Sequence, residues 1–408
     1  MQNLLNQPLV LKNGTTIKNR LLKSAMSEQL AVDNKPSQTL INLYKIWANG
    51  GAGVLITGNV MIDKNALGAK DDVVLENGAD LEPFSAWASA AKTNDTKVIM
   101  QLNHPGKQSP KFLSKTPVAP SALSLSNGLE RLFNTPRELS ISEIKELVRR
   151  FGQSAKLAKM AGFDGVQIHA AHGYLISQFL SPLHNQRADE YGGSLENRMR
   201  FLSQIYHTIR DEVGDDFIVA LKLNSADFQK GGFSEEDSLK VAKFMADLGV
   251  DFIEISGGNY EAPAMLEGIK DSTKKREAYF LDYARKFRQI CDTTLVITGG
   301  FRSQKAINNA LNNGELDIVG VAKPFAFDKN FAQKMLKNPD YNCQINEPKF
   351  GIKKLDDMLL SAVIMYWYME QMKRLSKNLD PNPKLSLWRV LFSSIYQNGL
   401  NAIKKVRA

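Results

Sequence analysis

Residues 140–174 read Ser140-Ile-Ser-Glu-Ile-Lys-Glu-Leu-Val-Arg-Arg-Phe-Gly-Gln-Ser-Ala-Lys-Leu-Ala-Lys-Met-Ala-Gly-Phe-Asp-Gly-Val-Gln-Ile-His-Ala-Ala-His-Gly-Tyr174. Three signals follow one another along this stretch. Ser140-Ile-Ser-Glu143 has the spacing of a capping box, in which a serine hydroxyl and a glutamate three residues on satisfy free amides of a first helical turn. Residues 142–161 then carry apolar side chains at helical spacing. From Gly165 the pattern becomes a near-continuous apolar run over 165–171, as expected of a parallel strand buried on both faces. The run ends in His169-Ala-Ala-His172-Gly-Tyr174. A helix followed by a doubly buried strand with polar groups at its C-terminal end is one unit of a parallel α/β sheet.

The same unit recurs on both sides. Short runs rich in β-branched residues occupy 20–26, 53–60, 97–103, 218–224, 251–257, 294–300 and 316–322, which with 165–171 makes eight candidate strands. Helical periodicity covers 195–212, 234–248 and 303–312 as well as 142–161. Eight alternating units predict closure into a (β/α)8 TIM barrel; periodicity alone also allows a doubly wound open sheet. Three segments stand outside the repeat. In 8–19, Asn13-Gly14 separates two strand-like pieces, which suits a type I′ hairpin able to close the bottom of the barrel. Residues 104–139 form a long connection rich in Pro, Ser and Asn, of the kind that carries function or a small subdomain. After residue 340, Leu355, Met358, Leu359, Ala362, Val363, Tyr366 and Met369 recur at helical spacing, then Pro381-Asn-Pro383 breaks the pattern before a second helix over 385–403. The expected organisation is a barrel over 1–340 with an N-terminal β-hairpin cap. A C-terminal helical extension over 341–408 packs on the barrel or on a partner subunit, with Met365, Tyr366, Trp367 and Trp388 buried.

Composition narrows the class. Hydrophobic residues make up 43% and charged residues 23% of the 408, enough apolar material for a sizeable core. Only Cys291 and Cys343 occur, which argues against a disulfide scaffold and against an iron–sulfur site. The start lacks the basic and apolar regions of a signal peptide, and no run approaches the ~20 apolar residues of a membrane span. A cytoplasmic location is expected. The net charge is +9, and residues 341–408 hold 11 Lys or Arg against 5 Asp or Glu. The plain reading of that excess is a solvated basic surface, with no nucleic acid as partner. An amphipathic surface for anionic lipid is the sharper alternative for the tail. A homodimer is compatible with either.

Barrel chemistry sits at the C-terminal strand ends and the loops that follow. Those ends read Ser24-Ala-Met-Ser27, Gly58, Gln101-Leu-Asn-His104, His169 to Tyr174, Lys222-Leu-Asn-Ser-Ala-Asp227, Ser256-Gly-Gly258, Thr298-Gly-Gly-Phe301 and Ala322-Lys323, while the strand interiors look mostly apolar. Of five histidines, His104, His169, His172 and His184 fall at such positions and His207 does not. A His-x-x-His pair could ligate a metal, but carboxylates are scarce at the strand ends, Asp227 excepted, so no metal site is expected. The other use is to aim two N–H donors at one oxygen that gains negative charge, worth ~3–4 kcal/mol per donor in well-studied cases. Tyr174, a phenol with an ordinary pKa near ~10, would stay protonated and serve as an acid. Gly299-Gly300 and Lys323 suggest a phosphate site after strands 7 and 8, a frequent place for one in barrels.

Two segments carry a family resemblance. His169-Ala-Ala-His172-Gly-Tyr174-Leu-Ile-Ser-Gln-Phe-Leu-Ser-Pro182 closely resembles the active-site segment of the old yellow enzyme family of NAD(P)H:flavin oxidoreductases, and so does Asn185-Gln-Arg-Ala-Asp-Glu-Tyr-Gly-Gly-Ser-Leu-Glu-Asn-Arg198. The likeness extends over roughly residues 5–335. It implies FMN as cofactor and NAD(P)H as hydride donor. It also implies that Ser24, Ala25 and Met26 lie along the flavin, with Ser27 where relatives carry Thr or Cys. Gly58 would contact the ring edge and Gln101 the pyrimidine portion. Lys222 stands where many relatives have Arg, beside N1 and O2 of the flavin. Gly299, Gly300, Phe301, Ala322 and Lys323 would hold the phosphate. The family commonly has Gly-Arg at the last pair, so Ala322-Lys323 is a departure that keeps charge and loses the bidentate fork.

The implied reaction is that of an ene-reductase. Hydride passes from NAD(P)H to the flavin and then to the β-carbon of an enone-type small molecule. His169 and His172 bind the carbonyl and Tyr174 protonates the α-carbon. Longer relatives carry an iron–sulfur cysteine cluster and further domains; with neither here, a single-cofactor, single-domain enzyme is expected. Two other readings share the barrel: an FMN-dependent tRNA dihydrouridine synthase, which needs a catalytic cysteine, and a non-catalytic flavin-binding barrel.

Overall fold

The computed structural model describes residues 2–262 and 279–398. Eight parallel strands close into a barrel: β1 Leu21–Lys23, β2 Val54–Met61, β3 Lys97–Asn103, β4 Gly165–Ala170, β5 Ile218–Asn224, β6 Ile253–Ser256, β7 Leu295–Thr298 and β8 Ile318–Val321. Each pairs in parallel with its sequence neighbours, and β8 returns to β1 through Val319↔Leu21. Closure leaves the eight barrel strands without a free edge, which a doubly wound sheet would retain; a two-residue strand, Val73–Val74, adds only to the far end of β2.

The helices follow in step: α1 Gln38–Asn49, α2 Glu82–Ala91, α3 Ile141–Met160, α4 Leu195–Val213, α5 Glu235–Leu248, α6 Leu281–Arg288 and α7 Gln304–Asn312. The capping box is present at α3, where the Ser140 hydroxyl accepts from the Glu143 amide and the Glu143 carboxylate accepts from the Ser140 amide. Serine hydroxyls also cap α1, α4, α5 and α7, at Ser37, Ser194, Ser234 and Ser303. Each satisfies an amide that the helix itself leaves free.

Several strands are shorter than their sequence patterns. Residues 251–257 yield only Ile253–Ser256, and 294–300 yield Leu295–Thr298. The residues past these ends leave the ladder because they build the loops above the barrel. Strand β2 departs the other way: it continues past Gly58 to Met61, with a register shift against β3 between Ile56 and Asn59. The cause lies beneath the bulge. A Cβ on Gly58 would stand 1.9 Å from Glu28 Oε2 and 2.5 Å from the Met26 carbonyl oxygen. The Thr57 hydroxyl, not a backbone carbonyl, accepts the Gln101 amide there at 2.9 Å.

The N-terminal hairpin forms, with Leu9↔Ile17 and Val10↔Thr16 paired antiparallel. Its turn is not type I′. Leu11 N donates to Thr15 O and Gly14 N to Leu11 O, both at 2.9 Å, closing a three-residue loop. Gly14 alone takes positive φ, at 83°. Asn13 instead uses its side-chain oxygen to accept from Thr15 N at 3.1 Å. Leu11 and Ile17 pack with Leu22, Val54, Ile56, Ile99, Ile218, Phe252, Val296 and Ile318 as one apolar plug at the lower end of the barrel.

The long connection makes a small platform. Val118–Ala119 pairs in parallel with Arg137–Glu138, and Leu125, Leu129 and Phe133 form a separate apolar cluster with Leu132 and Tyr260. After β8 come a short helix, Lys323–Phe327, then α8 Phe331–Lys337, α9 Lys353–Leu375 and α10 Leu387–Asn398. Trp367 is fully buried, its ring stacked on Phe327 at 5.4 Å and its Nε1 donating to Leu385 O at 3.2 Å. Met365 and Tyr366 pack partly buried against the core. Trp388, expected inside, is 41% exposed: only one edge of α10 is covered, and Trp388 lies beside Phe392 on the other. The side chains of Met358 and Ala362, and residues 399–403 of the expected second helix, lie outside the described residues. Among the described residues no helix is long and apolar enough to cross a membrane.

Candidate active site

Above its apolar plug the barrel interior turns polar. Strand register puts Lys222 of β5 level with His169 of β4 on one side and Glu254 of β6 on the other. In a parallel sheet, level residues project to the same face. Lys222 Nζ lies 3.1 Å from Glu254 Oε1, with both side chains buried. Glu254 also accepts from Gln167 Nε2 at 2.8 Å and from Thr298 Oγ1 at 2.7 Å. Gln167 Oε1 accepts from Gln101 Nε2 at 2.6 Å, and Thr298 is bonded to Ser24 Oγ at 2.8 Å. These groups form one belt across the barrel interior. Lys222, Thr298 and Gln167 hold the Glu254 carboxyl below its ordinary pKa although burial opposes this. The interior is therefore not uniformly apolar. Gln167 and Glu254 are polar residues set between β-branched ones in strands buried on both faces, and such a residue must find a partner there.

His169 and His172 stand together above this belt. His169 Nε2 and His172 Nδ1 face each other at 3.0 Å. The outer nitrogens are held on either side, His169 Nδ1 by Asn59 Oδ1 at 3.0 Å and His172 Nε2 by Ser256 Oγ at 2.7 Å. His172 has a left-handed backbone, φ 61°, unusual for a residue with a side chain. Its amide donates to Asn224 Oδ1 at 3.1 Å and its carbonyl accepts from Gln108 Nε2 at 3.0 Å, so neighbouring loops enforce that conformation. Burial, each other's proximity and Lys222 keep the His169 imidazole well below its ordinary pKa; burial and Lys222 bring His172 down to about 3. Both rings are neutral at physiological pH.

Tyr174 lies beside them, its ring centroid 4.9 Å from that of His169. Its hydroxyl is 3.1 Å from the hydroxyl of Tyr260, on the loop after β6. Burial, followed by the Tyr260 phenol, pushes the Tyr174 pKa well above the ordinary range, and burial pushes Tyr260 up to about 12. Both remain protonated, and Tyr260 is the more open of the two.

The residues expected to hold a cofactor gather at the same end. Ser24 is buried, while Ala25, Met26 and Ser27 follow β1 half-exposed. Gln101 and Lys222 are buried in the belt. Gly299 and Gly300 follow β7 with φ of 128° and 89°, and Phe301 is buried behind them. Ala322 precedes the helix starting at Lys323, whose Nζ reaches Glu347 Oε1 at 2.6 Å; Tyr368 also donates to that oxygen at 2.6 Å. Gly58 faces Glu28 and the Met26 carbonyl in its bulge. The donor set suits FMN: buried amide and ammonium groups for a pyrimidine edge, and positive-φ glycines with a nearby lysine for a phosphate.

The remaining histidines lie elsewhere. His104 is buried, accepts the Gly106 amide on Nδ1 at 3.1 Å and is brought down to about 4 by burial. His184 Nδ1 is 3.0 Å from Lys107 Nζ, and its Nε2 is 3.4 Å from Glu261. This trio ties the 104–139 platform to the loops after β4 and β6. His207 lies on α4. Among the described residues no three His, Cys, Asp or Glu side chains are placed to hold a metal. Sequence reasoning passed over Asn59, Gln167, Glu254 and Tyr260. The first three carried a signal, a polar residue within or at the end of an apolar strand; Tyr260 carried none, since its role depends on how the loop after β6 folds back.

Comparison with known proteins places the chain in a family. The model of the NADH:flavin oxidoreductase / NADH oxidase family matches residues 4–342. An NADH-dependent flavin oxidoreductase of Neonectria sp. (strain DH2) is 39% identical over 345 residues, covering 78% of this chain and 45% of its own length. One of Hypocrea jecorina (strain QM6a) is 38% identical over 372 residues, covering 84% and 92%. The chain thus spans less than half of one relative and nearly all of the other. An old yellow enzyme homologue from Zymomonas mobilis superposes with a TM-score of 0.70 at 25% identity, covering 84% of this chain and 95% of that one.

Proposed function

Because the chain belongs to the NADH:flavin oxidoreductase / NADH oxidase family, we propose that it is an FMN-dependent, NAD(P)H-consuming ene-reductase acting on α,β-unsaturated carbonyl compounds. When bound, the flavin supplies hydride transfer from the nicotinamide and on to the β-carbon. The protein's own part is to hold the carbonyl, stabilise the charge that develops on its oxygen, and deliver a proton.

One observation carries this reading: the paired inner nitrogens of His169 and His172, each backed by an outer partner. Ser256 can donate to His172 Nε2. Asn59 Oδ1 accepts from His169 Nδ1, so His169 Nε2 accepts from His172 Nδ1 in this arrangement; turning the Asn59 amide would let its nitrogen donate to Nδ1 instead. Both inner nitrogens then carry N–H. With nothing between them these two N–H groups would oppose each other, and one ring must accept instead. A carbonyl oxygen placed between them accepts from both. The site is thus predisposed to an oxygen that gains charge, and the neutral rings donate without themselves losing a proton. Tyr174, protonated and adjacent, supplies the proton to the α-carbon. The dihydrouridine synthase reading needs a reactive cysteine. Cys291 precedes β7, at the opposite end of the barrel, and burial pushes the Cys343 thiol up, away from its reactive form.

The test separates the half-reactions. Tyr174→Phe should slow oxidation of the reduced protein by 2-cyclohexenone about a hundredfold or more, while reduction by NAD(P)H in stopped flow stays within about twofold. Equal slowing of both steps would remove Tyr174 from the role of proton donor.

A further inference from the structure

Lys222 is not a lone cation. Its ammonium is 3.1 Å from Glu254 Oε1, and Glu254 is completely buried. The carboxylate is fixed from three directions, by Lys222, by Thr298 Oγ1 at 2.7 Å and by Gln167 Nε2 at 2.8 Å. Thr298 is itself braced by Ser24, and Gln167 is bonded to Gln101. A buried carboxylate with this many donors has no reason to move or to protonate. Its negative charge is therefore a permanent feature of the barrel interior, in contact with the cation at the β5 end.

We propose that Glu254 is a positioning residue that draws the charge of Lys222 away from the flavin pyrimidine edge and so holds the flavin reduction potential down. The proposal rests on the reading above, in which Lys222 lies beside N1 and O2. A free cation there stabilises the anionic reduced flavin and raises its potential. A carboxylate at contact distance instead holds the ammonium back from that edge, so less of its field reaches the ring. The reduced cofactor is then less stabilised and gives up hydride more readily to a weak acceptor. Ser24, Gln101 and Thr298 gain a purpose beyond packing, since they fix how far the carboxylate can lean toward Lys222.

Midpoint potentials of the full-length, FMN-loaded protein decide this. Glu254→Gln keeps the shape and removes the charge. It should raise the potential by about 30 mV or more, equivalent to a tenfold shift in the equilibrium of a two-electron couple. Lys222→Met should lower it. In the Lys222→Met background, Glu254→Gln should move the potential by less than half as much. Glu254→Asp, which retracts the carboxylate by one methylene, should give a smaller rise and serves if the glutamine variant does not hold flavin. No rise in either Glu254 variant overturns the proposal, as does an equal rise in both backgrounds. If Lys222→Met leaves the potential unchanged, the placement of Lys222 beside the flavin falls, and this inference with it. If Lys222→Met lowers it while the Glu254 variants do nothing, only the inference falls.

Discussion

His169 and His172 hold four ring nitrogens and, when neutral, two N–H protons between them. Where those protons sit decides what the pair can do. Asn59 and Ser256 act on the outer nitrogens and so set the inner ones. Ser256 is the more decisive, because its hydroxyl can donate to His172 Nε2 and leave Nδ1 as the donor toward the site. Ser256→Ala frees Nε2 to take the proton. We expect enone reduction to fall about tenfold, the equivalent of one hydrogen bond of ordinary strength, with reduction by NAD(P)H nearly unchanged. Separate stopped-flow traces check this, and an unchanged enone rate would show that Ser256 does not govern the tautomer. The sequence points to the two histidines by their place at a strand end. It does not disclose Asn59 or Ser256 as partners, because those arrive from β2 and β6, 110 and 84 residues away from the rings they touch. Proximity across a closed barrel has no local signal.

At the level of elements the sequence was more generous. Helices begin where serine can cap them, and strands run where β-branched residues lack alternation, because both signals are local. Non-local demands explain the departures. The β2 bulge exists to admit the Glu28 carboxylate, and the hairpin turn uses Gly14 alone at positive φ. Two glycines separate a local from a non-local requirement. A Cβ added at Gly14 would meet nothing within 4 Å, so Gly14→Ala meets only the cost of its φ of 83°. That is about 1 kcal/mol. Gly320 of β8 would place a Cβ 1.9 Å from Thr298 Oγ1 and 2.7 Å from Ser24 Oγ. Gly320→Ala must push Thr298 off Glu254, and should cost about 3 kcal/mol through overpacking and a broken buried hydrogen bond. Urea unfolding of both variants gives the comparison. Equal losses would mean that the polar belt tolerates displacement and is not a fixed frame for the barrel interior.

Across the whole molecule, the C-terminal segment and the loops act back on the barrel. Glu347 of the tail reaches Lys323 of the barrel, Trp367 stacks on Phe327, and Lys373 pairs with Glu370 within α9, so the extension packs on the barrel and has one of its own cations paired. The buried titratable groups make a larger prediction about pH. His104 and His184 are brought down to about 4 and His172 to about 3, with His169 also well below its ordinary value, chiefly through burial. Unfolded, each would bind a proton below about pH 6.5. Between that value and about pH 4 the unfolded chain therefore holds more protons at these sites. Stability falls as pH falls, by about 1.4 kcal/mol per pH unit for each histidine fully titrating. Asp72 works in the opposite sense. Burial raises it to about 7 against the donors Ala69 N and Gly68 N, so the folded chain holds a proton there that the unfolded chain has released above about pH 4. Its contribution is present at low pH and lost as pH rises through 7. Burial raises Asp227 and Asp251 as well, and they act in the same sense as Asp72. Four histidines against these three carboxyls leave a net loss of stability on acidification from pH 7 to 5. The urea midpoint, measured at saturating FMN, should therefore be lower at pH 5 than at pH 7. Asp72→Asn, which removes one opposing group, should widen that gap, and His184→Gln should narrow it. A midpoint that stays level or rises toward pH 5 would mean that the imidazoles are not held neutral in the fold. The hydrogen-bonding roles assigned to His169 and His172 would then need charged rings instead.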